Sequence, residues 1–566
     1  MVFSKKLPVV VAVLLVAALL TGCGTPATPE TIEKVVTQVV PQTVVVAGTP
    51  EIVEVEVTAV PEAKGGELIL SSTKAGSRLD PHLDVDWEVL YVLSPIYDTL
   101  VYEASDGTFV PGLAKEWTVS EDGLTYSFTL RDDVKFTDGT PFNAEAVKFN
   151  FGRIAEVAPK SEKAGSLMAS VASVEATDEF TIAVKLSQPD GFFLWALSLP
   201  YLSMVSPTAA QQWGEEYHLH QVGTGPFMFS EYLPEDHYTL VPNPDYNWAP
   251  SIFSHQGPAY LSKITWRFLP EPATRAPALE AGDVDVAIDL LPTDANRIGN
   301  SPDLSLVINL LTGQPQMWFL NTKLAPTDDI LVRQAILYGI DIQAGVNAVM
   351  RGLNPVAHGP LSAVTAEYAK ELDAMYPYDQ EKAKALLDQA GWVDSDGDGI
   401  RDKGGVPLTI LMSVQGWGQS QPFSELAQGQ LKAIGIDLQL EMMSFPTQMQ
   451  AGADGIKNML IMGGSGYSAV DSLSGYFHSK NAETGFAWSK YADPNLDALL
   501  DQGAAALDPA ERLELYRQAQ VLIMDQALIR PIYDYALLVG VNNKVKGLTW
   551  RSVGLVPTLY DTYIEP

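Results

Sequence analysis

The chain has 566 residues, 36 of them basic and 69 acidic, which gives a formal charge of −33 at pH 7. A nucleic-acid-binding surface needs clustered lysine and arginine to neutralise phosphates, so this balance excludes nucleic acid as an expected partner. The single cysteine, Cys23, excludes disulfide frameworks and cysteine-rich metal sites. The hydrophobic fraction of 46% is ordinary for a globular protein and predicts a sizeable core.

The amino terminus has the pattern of an export signal. Two lysines precede an apolar run over residues 7–20, which is too short to span a bilayer comfortably. The tetrad Leu-Thr-Gly-Cys that ends at Cys23 resembles the lipobox of bacterial lipoproteins, in which cleavage leaves the cysteine as the lipidated first residue. We therefore expect residues 1–22 to be a signal peptide. Lipid on Cys23 would then anchor the exported protein to the outer face of the cell membrane.

Residues 24–64 are rich in Pro, Thr, Val and Glu and contain no aromatic side chain. Such a composition cannot bury a core, although its valine-rich pieces could pair as strands. We expect residues 23–64 to form the lipid anchor and a flexible tether.

Beyond the tether, the pattern alternates strands and helices. Hairpins are predicted over residues 116–130, 174–186 and 227–241, where alternating apolar residues flank acidic or proline-containing turns. Asn143 is placed to cap a helix between the first two hairpins. These elements are typical of an α+β region.

A different pattern follows residue 260. A strand at 408–412, a helix at 421–434 and a strand at 436–441 predict a βαβ unit, which requires parallel strands joined by a helical crossover. Asp508 is placed to cap a helix that begins at Pro509. The body of the chain is therefore predicted to be an α/β protein with two or more lobes.

The common catalytic motifs are absent from the sequence. It contains no phosphate-binding Walker A loop, no HExxH zinc helix, no GxSxG nucleophile elbow and no GxGxxG dinucleotide fingerprint. We therefore do not expect an enzyme, and a surface hydrolase is a minor alternative.

One acidic cluster is specific enough to name as a candidate calcium loop. Its carboxylates occupy positions 1, 3, 5 and 9 of an EF-hand-like loop, with Gly399 at the sharp turn. Position 12 is Gly405, where a bidentate Glu is expected, so an acidic connector is the alternative. We expect no other cofactor. The candidate calcium ligands are Asp394, Asp396, Asp398 and Asp402.

Several ordered motifs resemble one family of transport proteins. The most specific is the run Tyr-Ser-Phe-Thr-Leu-Arg over 126–131 with Val-Lys-Phe-Thr-Asp-Gly-Thr-Pro-Phe over 134–142. Gly-Thr-Gly-Pro-Phe over 223–227 and Asp-Pro-Asn-Leu-Asp over 493–497 follow in the same order. On these motifs the chain resembles the family 5 extracellular solute-binding proteins of ABC importers, whose best known members bind oligopeptides, dipeptides or nickel.

The resemblance implies an α/β fold of the periplasmic-binding-protein type II, with two lobes, a hinge and a small extra domain inserted in the first lobe. We expect lobe 1 over residues 65–315, with the inserted domain at about 100–210. Lobe 2 is expected over 316–543, and residues 544–566 are expected to return to lobe 1. Ligand would bind in the cleft between the lobes, and the closed monomer would dock on permease subunits in the membrane.

The resemblance also implies candidate ligand-binding residues. In peptide-binding members, a stretch that corresponds to residues 463–472 recognises the peptide backbone and its amino terminus. Aligned on Asp471, Gly464 keeps the backbone position, whereas Ser468 replaces the Asp that pairs with the peptide ammonium. The aromatic residues that we place nearest the cleft, with core packing as the alternative for each, are Trp318, Trp417 and Tyr467.

Peptide is the ligand expected by default. An oligosaccharide is the alternative, because the ammonium-binding Asp is replaced and some family members stack sugars on aromatic rings. A ligand sensor that docks on a signalling receptor is the other alternative, since it would use the same fold and the same cleft.

Overall fold

The computed structural model describes residues 38–46, 49–57 and 64–566, with gaps at 75, 77, 84–87, 158–161, 417, 465–467 and 552–555. The chain divides into two compact units, Met1–Ala63 and Lys64–Pro566. In the first unit, the backbones of β1 (Gln38–Val46) and β2 (Thr49–Val57) pair antiparallel. The expected signal peptide and Cys23 lie outside the described residues, and within the expected tether the valine-rich pieces are paired as strands.

The second unit alternates strands and helices. Its strands are, in chain order, β3 (Glu67–Ser72), β4 (Val101–Glu103), β5 (Phe109–Pro111), β6 (Ala114–Val119), β7 (Thr125–Leu130), β8 (Val171–Asp178), β9 (Thr181–Leu186), β10 (Phe227–Leu233), β11 (His237–Pro242), β12 (Lys263–Phe268), β13 (Val286–Ala287), β14 (Leu304–Leu310), β15 (Gln316–Leu320), β16 (Asp402–Lys403), β17 (Val406–Pro407), β18 (Thr409–Gln415), β19 (Asp437–Met443), β20 (Met459–Met462), β21 (Ile529–Tyr533), β22 (Ala536–Asn542), β23 (Val545–Lys546), β24 (Thr549–Trp550), β25 (Pro557–Thr558) and β26 (Tyr563–Ile564).

Its α-helices are, in chain order, α1 (Val89–Ile96), α2 (Ala144–Val157), α3 (Glu162–Leu167), α4 (Phe193–Ser198), α5 (Pro207–Trp213), α6 (Pro272–Ala281), α7 (Pro292–Gly299), α8 (Ile330–Gly339), α9 (Ile342–Val349), α10 (Gln380–Gln389), α11 (Ser420–Lys432), α12 (Phe445–Asp454), α13 (Ala469–Phe477), α14 (Pro494–Ala505) and α15 (Pro509–Asp525). Among the described residues, no helix combines the length and the apolar character that crossing a bilayer requires.

The predicted local elements are confirmed. The antiparallel pairs β6–β7, β8–β9 and β10–β11 cover the three predicted hairpins. Asn143 accepts a hydrogen bond from the amide of Ala146 at 3.0 Å where α2 begins. Asp508 accepts from the amides of Ala510 and Glu511 at 2.8 and 2.9 Å where α15 begins. The strands β18 and β19 are parallel and are joined by α11, as predicted.

The larger sheet has the order β10-β11-β12-β3-β13-β22-β14. Its central strand β3 runs parallel to β12 and β13, whereas the outer pairs are antiparallel. Trp266 of β12 is fully buried and stacks on Tyr91 of α1, with ring centroids 5.4 Å apart. This stacking packs the apolar helix α1 against the sheet.

A separate four-stranded sheet, β6-β7-β9-β8, lies within residues 114–186 together with α2 and α3. A buried ion pair ties it to the turn before α1. Arg153 of α2 donates to both carboxylate oxygens of Asp80, at 3.0 and 2.5 Å, and its Nη1 lies 2.7 Å from Nδ1 of His82. Burial and the neighbouring guanidinium lower the pKa of His82 to about 4.

The smaller sheet has the order β19-β18-β20-β15-β21. The chain passes between the larger and the smaller sheet twice, over residues 311–315 and over 534–535. The amide of Leu311 donates to the carbonyl of Tyr535 at 2.9 Å, so the two crossings lie side by side. Two adjacent short segments that connect two packed sheets are the arrangement of a hinge.

The second crossing bears on the expected lobe boundaries. The expected lobe 2, residues 316–543, includes β22, but this strand pairs with β13 and β14 in the larger sheet. Only two residues separate β22 from β21 of the smaller sheet. Residues 528–542 are mostly apolar apart from Arg530, Asp534 and Asn542, and their sequence carries no recognised signal of the change of sheet.

Candidate ligand-binding site

A cavity of about 700 Å³ lies between the part of the chain that carries the larger sheet and the part that carries the smaller one. Its volume is within the range of small-molecule sites. One side is formed by the β4–β5 hairpin, residues 198–201 at the end of α4 and beyond it, residues 252–253, and residues 549–551, 556, 558 and 561 near the carboxyl terminus. The other side is formed by Thr312 in the first crossing and by Val364 and Ala366, which precede α10.

A buried carboxylate fixes one wall of this cavity. Asp98 is 2% exposed and accepts hydrogen bonds from the side chains of Tyr102, Thr224, Trp248 and Tyr246, at 2.8, 3.0, 3.0 and 3.3 Å. Burial raises the pKa of Asp98, and these hydrogen bonds oppose the rise. Because Tyr102 lines the cavity, the network holds its ring in place.

Arg551 connects the carboxyl-terminal hairpin, formed by β24 and β25, to Ser198 and Tyr102 on the same wall of the cavity. Its Nη1 donates to the carbonyl of Ser198 at 3.0 Å, and its Cζ lies 5.0 Å from the ring centroid of Tyr102. Among the described residues, neither the buried Nε of Arg551 nor the buried Nε1 of Trp550 has a hydrogen-bond partner. Arg551 is the only basic residue among the described residues that line the cavity.

Acidic residues also line the cavity. Asp561 accepts from the amide and the hydroxyl of Ser254 at 2.9 and 2.8 Å and lies 2.7 Å from Nδ1 of His255. Asp106, in the β4–β5 turn, accepts from the amide of Thr108 at 3.0 Å. With Glu103 on β4, these carboxylates make the lining acidic apart from Arg551.

The predicted ligand residues lie elsewhere. Trp318 is fully buried in β15, the strand between β20 and β21. The amide of Gly464 donates to the carbonyl of Gln314 at 3.2 Å, and its φ of +74° is the left-handed conformation that favours glycine. Trp417 and Tyr467 lie outside the described residues. None of the predicted ligand residues that the structure describes lines the cavity.

Ser468 and Asp471 lie at the start of α13. Ser468 caps this helix by accepting from the amide of Asp471 at 3.2 Å. The Asp471 carboxylate lies 3.2 Å from Nζ of Lys163 in α3, 308 residues away in sequence. Trp318 lies on β15, Gly464 follows the neighbouring strand β20, and α13 comes next in the chain. Contact of these residues with ligand remains a prediction.

Further contacts join α14 and α15 to Gly191, which precedes α4, and to Glu367, which precedes α10. Arg512 of α15 lies 3.2 Å from a carboxylate oxygen of Glu367, and its Nη1 donates to the carbonyl of Gly191 at 3.4 Å. The amide of Gly191 donates to the carbonyl of Ala504 at 2.9 Å. A Cβ at position 191 would lie 2.1 Å from the carbonyl oxygen of Ala506, so only glycine fits this approach.

The candidate calcium loop is partly assembled. The carboxylates of Asp394, Asp396 and Asp398 offer oxygens within 4.8 Å of one another, and all three residues are exposed. Asp402 lies outside this set, since its Oδ2 accepts from the amide and the hydroxyl of Ser395 at 3.0 and 2.5 Å. Calcium binding by this loop remains a prediction.

The cavity residues Tyr102, Ser198 and Arg551 were beyond sequence reasoning. The bond between Arg551 and Ser198 joins positions 353 residues apart, and no local pattern announces such a contact. The one signal was that Arg551 is the only charged residue over 547–560. A solitary cation in an apolar segment is a reason to look for a specific role.

Comparison with known proteins identifies the family to which the chain belongs. Residues 108–484 match the model of the bacterial extracellular solute-binding proteins, family 5 middle. The nickel-binding periplasmic protein of Escherichia coli (strain K12) is 31% identical over 474 residues, which cover 81% of this chain and 87% of that protein. The glutathione-binding protein GsiB of Shigella flexneri is 31% identical over 444 residues, which cover 77% of this chain and 82% of that protein.

A solved structure extends the likeness to the fold. The ABC transporter-associated periplasmic binding protein DppA from Helicobacter pylori, in complex with the peptide STSA, superposes with a TM-score of 0.70 at 26% identity. The match covers 89% of this chain and 99% of that one. The expected α/β fold of the periplasmic-binding-protein type II is confirmed. The chain belongs to the family 5 bacterial extracellular solute-binding proteins.

Proposed function

We propose that this chain is the extracytoplasmic substrate-binding subunit of an ABC importer and that it captures a peptide-like solute. The observation that carries the proposal is the cavity between the two sheet-bearing parts, which are joined by two adjacent crossings. A ligand there contacts both sides at once. Capture needs complementary surfaces and a hinge, and it needs no nucleophile.

The same geometry explains how the bound solute is delivered to the permease. Ligand stabilises the closed arrangement when it makes contacts there that the open arrangement lacks. A permease that recognises the closed arrangement then distinguishes loaded from empty protein. In this account the contacts across the cavity, rather than a chemical step, determine which solute is imported.

Two observations favour a peptide over an oligosaccharide. GsiB is named for glutathione and the H. pylori DppA structure holds a tetrapeptide, so both relatives bind peptides. Trp318, one of the aromatic residues proposed for sugar stacking, is fully buried in the central region of the smaller sheet. In this structure Trp318 offers no accessible ring face, and its contact with ligand stays a prediction.

A ligand screen by thermal unfolding tests this proposal. The mature protein is heated with mixed dipeptides, mixed tripeptides, glutathione, a set of oligosaccharides and Ni²⁺, each in separate samples. A ligand present at 100 times its dissociation constant stabilises the folded state by about 2.7 kcal/mol, so a true ligand raises the melting temperature. We expect the peptide samples to do so. Stabilisation by an oligosaccharide alone would replace the peptide with a sugar and leave the transport role intact.

We also propose that lipid on Cys23 holds the mature protein at the outer face of the cell membrane. The lipobox-like tetrad supports this, and anchoring keeps the receptor at high effective concentration near its permease. Mass spectrometry of the mature amino-terminal peptide is expected to show acyl chains on Cys23. We expect the Cys23→Ser variant in the soluble fraction. Retention of that variant at the membrane would contradict the proposal.

A further inference from the structure

One set of contacts joins the two sides of the cavity without lining it. Gly191 and Phe192 directly precede α4, whose last residue, Ser198, lines one side of the cavity. They meet residues 504–516 of α14, α15 and the turn between them, which lie in the chain between β20 and β21 of the smaller sheet. We call the contacts between residues 191–192 and residues 504–516 the latch. All of these residues are described, and none of them lines the cavity.

The backbone of Gly191 forms the centre of the latch. Its amide donates to the carbonyl of Ala504 at 2.9 Å. The approach is so close that a Cβ at position 191 would overlap the carbonyl oxygen of Ala506, and the three atoms nearest to that Cβ all belong to Ala504 and Ala506. The φ of Gly191 lies outside the left-handed region, so its own backbone accepts an alanine. An added methyl group at this position is therefore opposed by the facing part of the molecule.

Arg512 of α15 reinforces this backbone contact. Its Cζ lies 5.0 Å from the ring centroid of Phe192, which is a cation–π distance, and its Nη1 donates to the carbonyl of Gly191 at 3.4 Å. Its Nε donates to a carboxylate oxygen of Glu367 at 3.2 Å, and both side chains are largely buried. Glu367 directly follows a residue that lines the other side of the cavity. Arg512 therefore ties one side of the cavity to the other.

Contacts of this kind favour the closed arrangement whether or not a solute is present. They form only when the two sides of the cavity approach each other, and no solute atom takes part in them. Such a bias changes the fraction of the protein that is competent to bind, and the apparent dissociation constant is the intrinsic one divided by that fraction. The resulting factor is the same for every solute, because it does not depend on the contacts that the solute makes.

We propose that the latch, which is built on Gly191 and Arg512, biases the solute-free protein towards the closed arrangement and so scales its affinity for all solutes by one common factor. The proposal rests on the proposed function, because closure regulates affinity only where a solute is captured between the two sides. It separates the residues that determine how tightly the protein binds from those of the cavity that determine which solute it binds.

Gly191→Ala tests the latch in the absence of any solute. Small-angle X-ray scattering of the mature protein measures its radius of gyration, which increases when the two sides of the cavity move apart. We expect a larger radius for Gly191→Ala than for the wild type, because the added methyl group blocks the approach to Ala506. Gly152→Ala is the matched control and should scatter like the wild type, since position 152 is exposed on α2 and a Cβ there meets nothing within 4 Å. Equal radii for Gly191→Ala and the wild type would overturn the proposal.

Affinity provides a second measurement. Melting temperature is followed against the concentration of each probe that stabilises the wild type, among mixed dipeptides, mixed tripeptides and glutathione. We expect Gly191→Ala to weaken all of these probes by the same factor, roughly 10-fold, as for the loss of one hydrogen bond. Unchanged affinity would overturn the proposal. Weakening of one probe alone would also overturn it, because position 191 would then act through that solute.

The outcomes separate the latch from the proposed function. If no probe stabilises the wild type, peptide capture fails, and the scattering comparison decides alone whether the latch closes the protein. If Gly191→Ala does not fold, Arg512→Lys replaces it in both measurements. Lysine keeps the charge beside Glu367 but lacks the planar fork that also reaches Gly191, so the same shifts are expected. A folded Arg512→Lys variant with the radius and the affinity of the wild type would overturn the latch.

Discussion

Asp534 lies in the second crossing between the two sheets, and its removal should change how stability depends on pH. The side chain is fully buried, and its Oδ2 accepts from the amide of Ala363 at 3.0 Å. Burial raises the pKa of Asp534 to about 7, and hydrogen bonding to the amide of Ala363 and the side chain of Ser362 opposes this only in part. The substitution Asp534→Asn keeps the shape of the side chain and removes its ionisable carboxyl group.

The direction in which pH changes the stability of the protein follows from the raised pKa of Asp534. In the unfolded chain the carboxyl group loses its proton near pH 4, whereas in the folded protein it holds the proton until about pH 7. Its contribution to stability is therefore fully present below about pH 4 and is lost as the pH rises to about 7. The window is about three pH units, which at about 1.4 kcal/mol per unit corresponds to about 4 kcal/mol.

Urea unfolding followed by tryptophan fluorescence measures the effect at pH 5 and pH 8. From pH 5 to pH 8 the free energy of unfolding of the wild type should fall by about 3 kcal/mol relative to that of Asp534→Asn. Asp303→Asn, which removes an exposed carboxyl group, is the matched control and should show a constant difference from wild type. Parallel pH curves for Asp534→Asn and wild type would refute the reasoning, because they would mean that the folded protein ionises this group like the unfolded chain.

Three further changes test other parts of the structure. Arg153→Ala leaves the buried carboxylate of Asp80 without its partner and should destabilise folding by about 3–5 kcal/mol in urea unfolding; a loss below about 1 kcal/mol would contradict a buried ion pair. Asp508→Ala removes the cap of α15 and should cost about 1 kcal/mol in the same assay, whereas no loss would mean that the cap is dispensable. Calcium titration calorimetry of the mature protein should show heat that vanishes in Asp396→Ala, and no heat in the wild type would end the calcium hypothesis.

Sequence reasoning predicted the parts of this fold that are determined locally. The caps at Asn143 and Asp508 and the three hairpins depend on residues a few positions apart, so their signals are contained in short windows. The family motifs supplied the fold class. The change of sheet between β21 and β22 was not predictable, since both strands are apolar and the two residues between them form no recognisable turn.

The cavity lining was out of reach for a different reason. Arg551 and Ser198 meet only because the carboxyl-terminal hairpin returns to the first part of the chain. Asp98 holds Tyr102 through a buried network whose other members, Thr224, Tyr246 and Trp248, lie more than 120 residues away in sequence. Ser468, chosen by analogy with peptide-binding members, caps α13 in this structure, and its contact with ligand stays a prediction.

Hydrogen–deuterium exchange tests the central claim most directly. The mature protein is compared with and without a saturating concentration of the mixed tripeptide acids. We expect slower exchange on both sides of the cavity. The affected residues are 101–107, 198–201 and 549–551 on one side and 312 and 364–366 on the other. Protection confined to one side, or located away from these residues, would contradict capture of the solute between the two parts of the molecule.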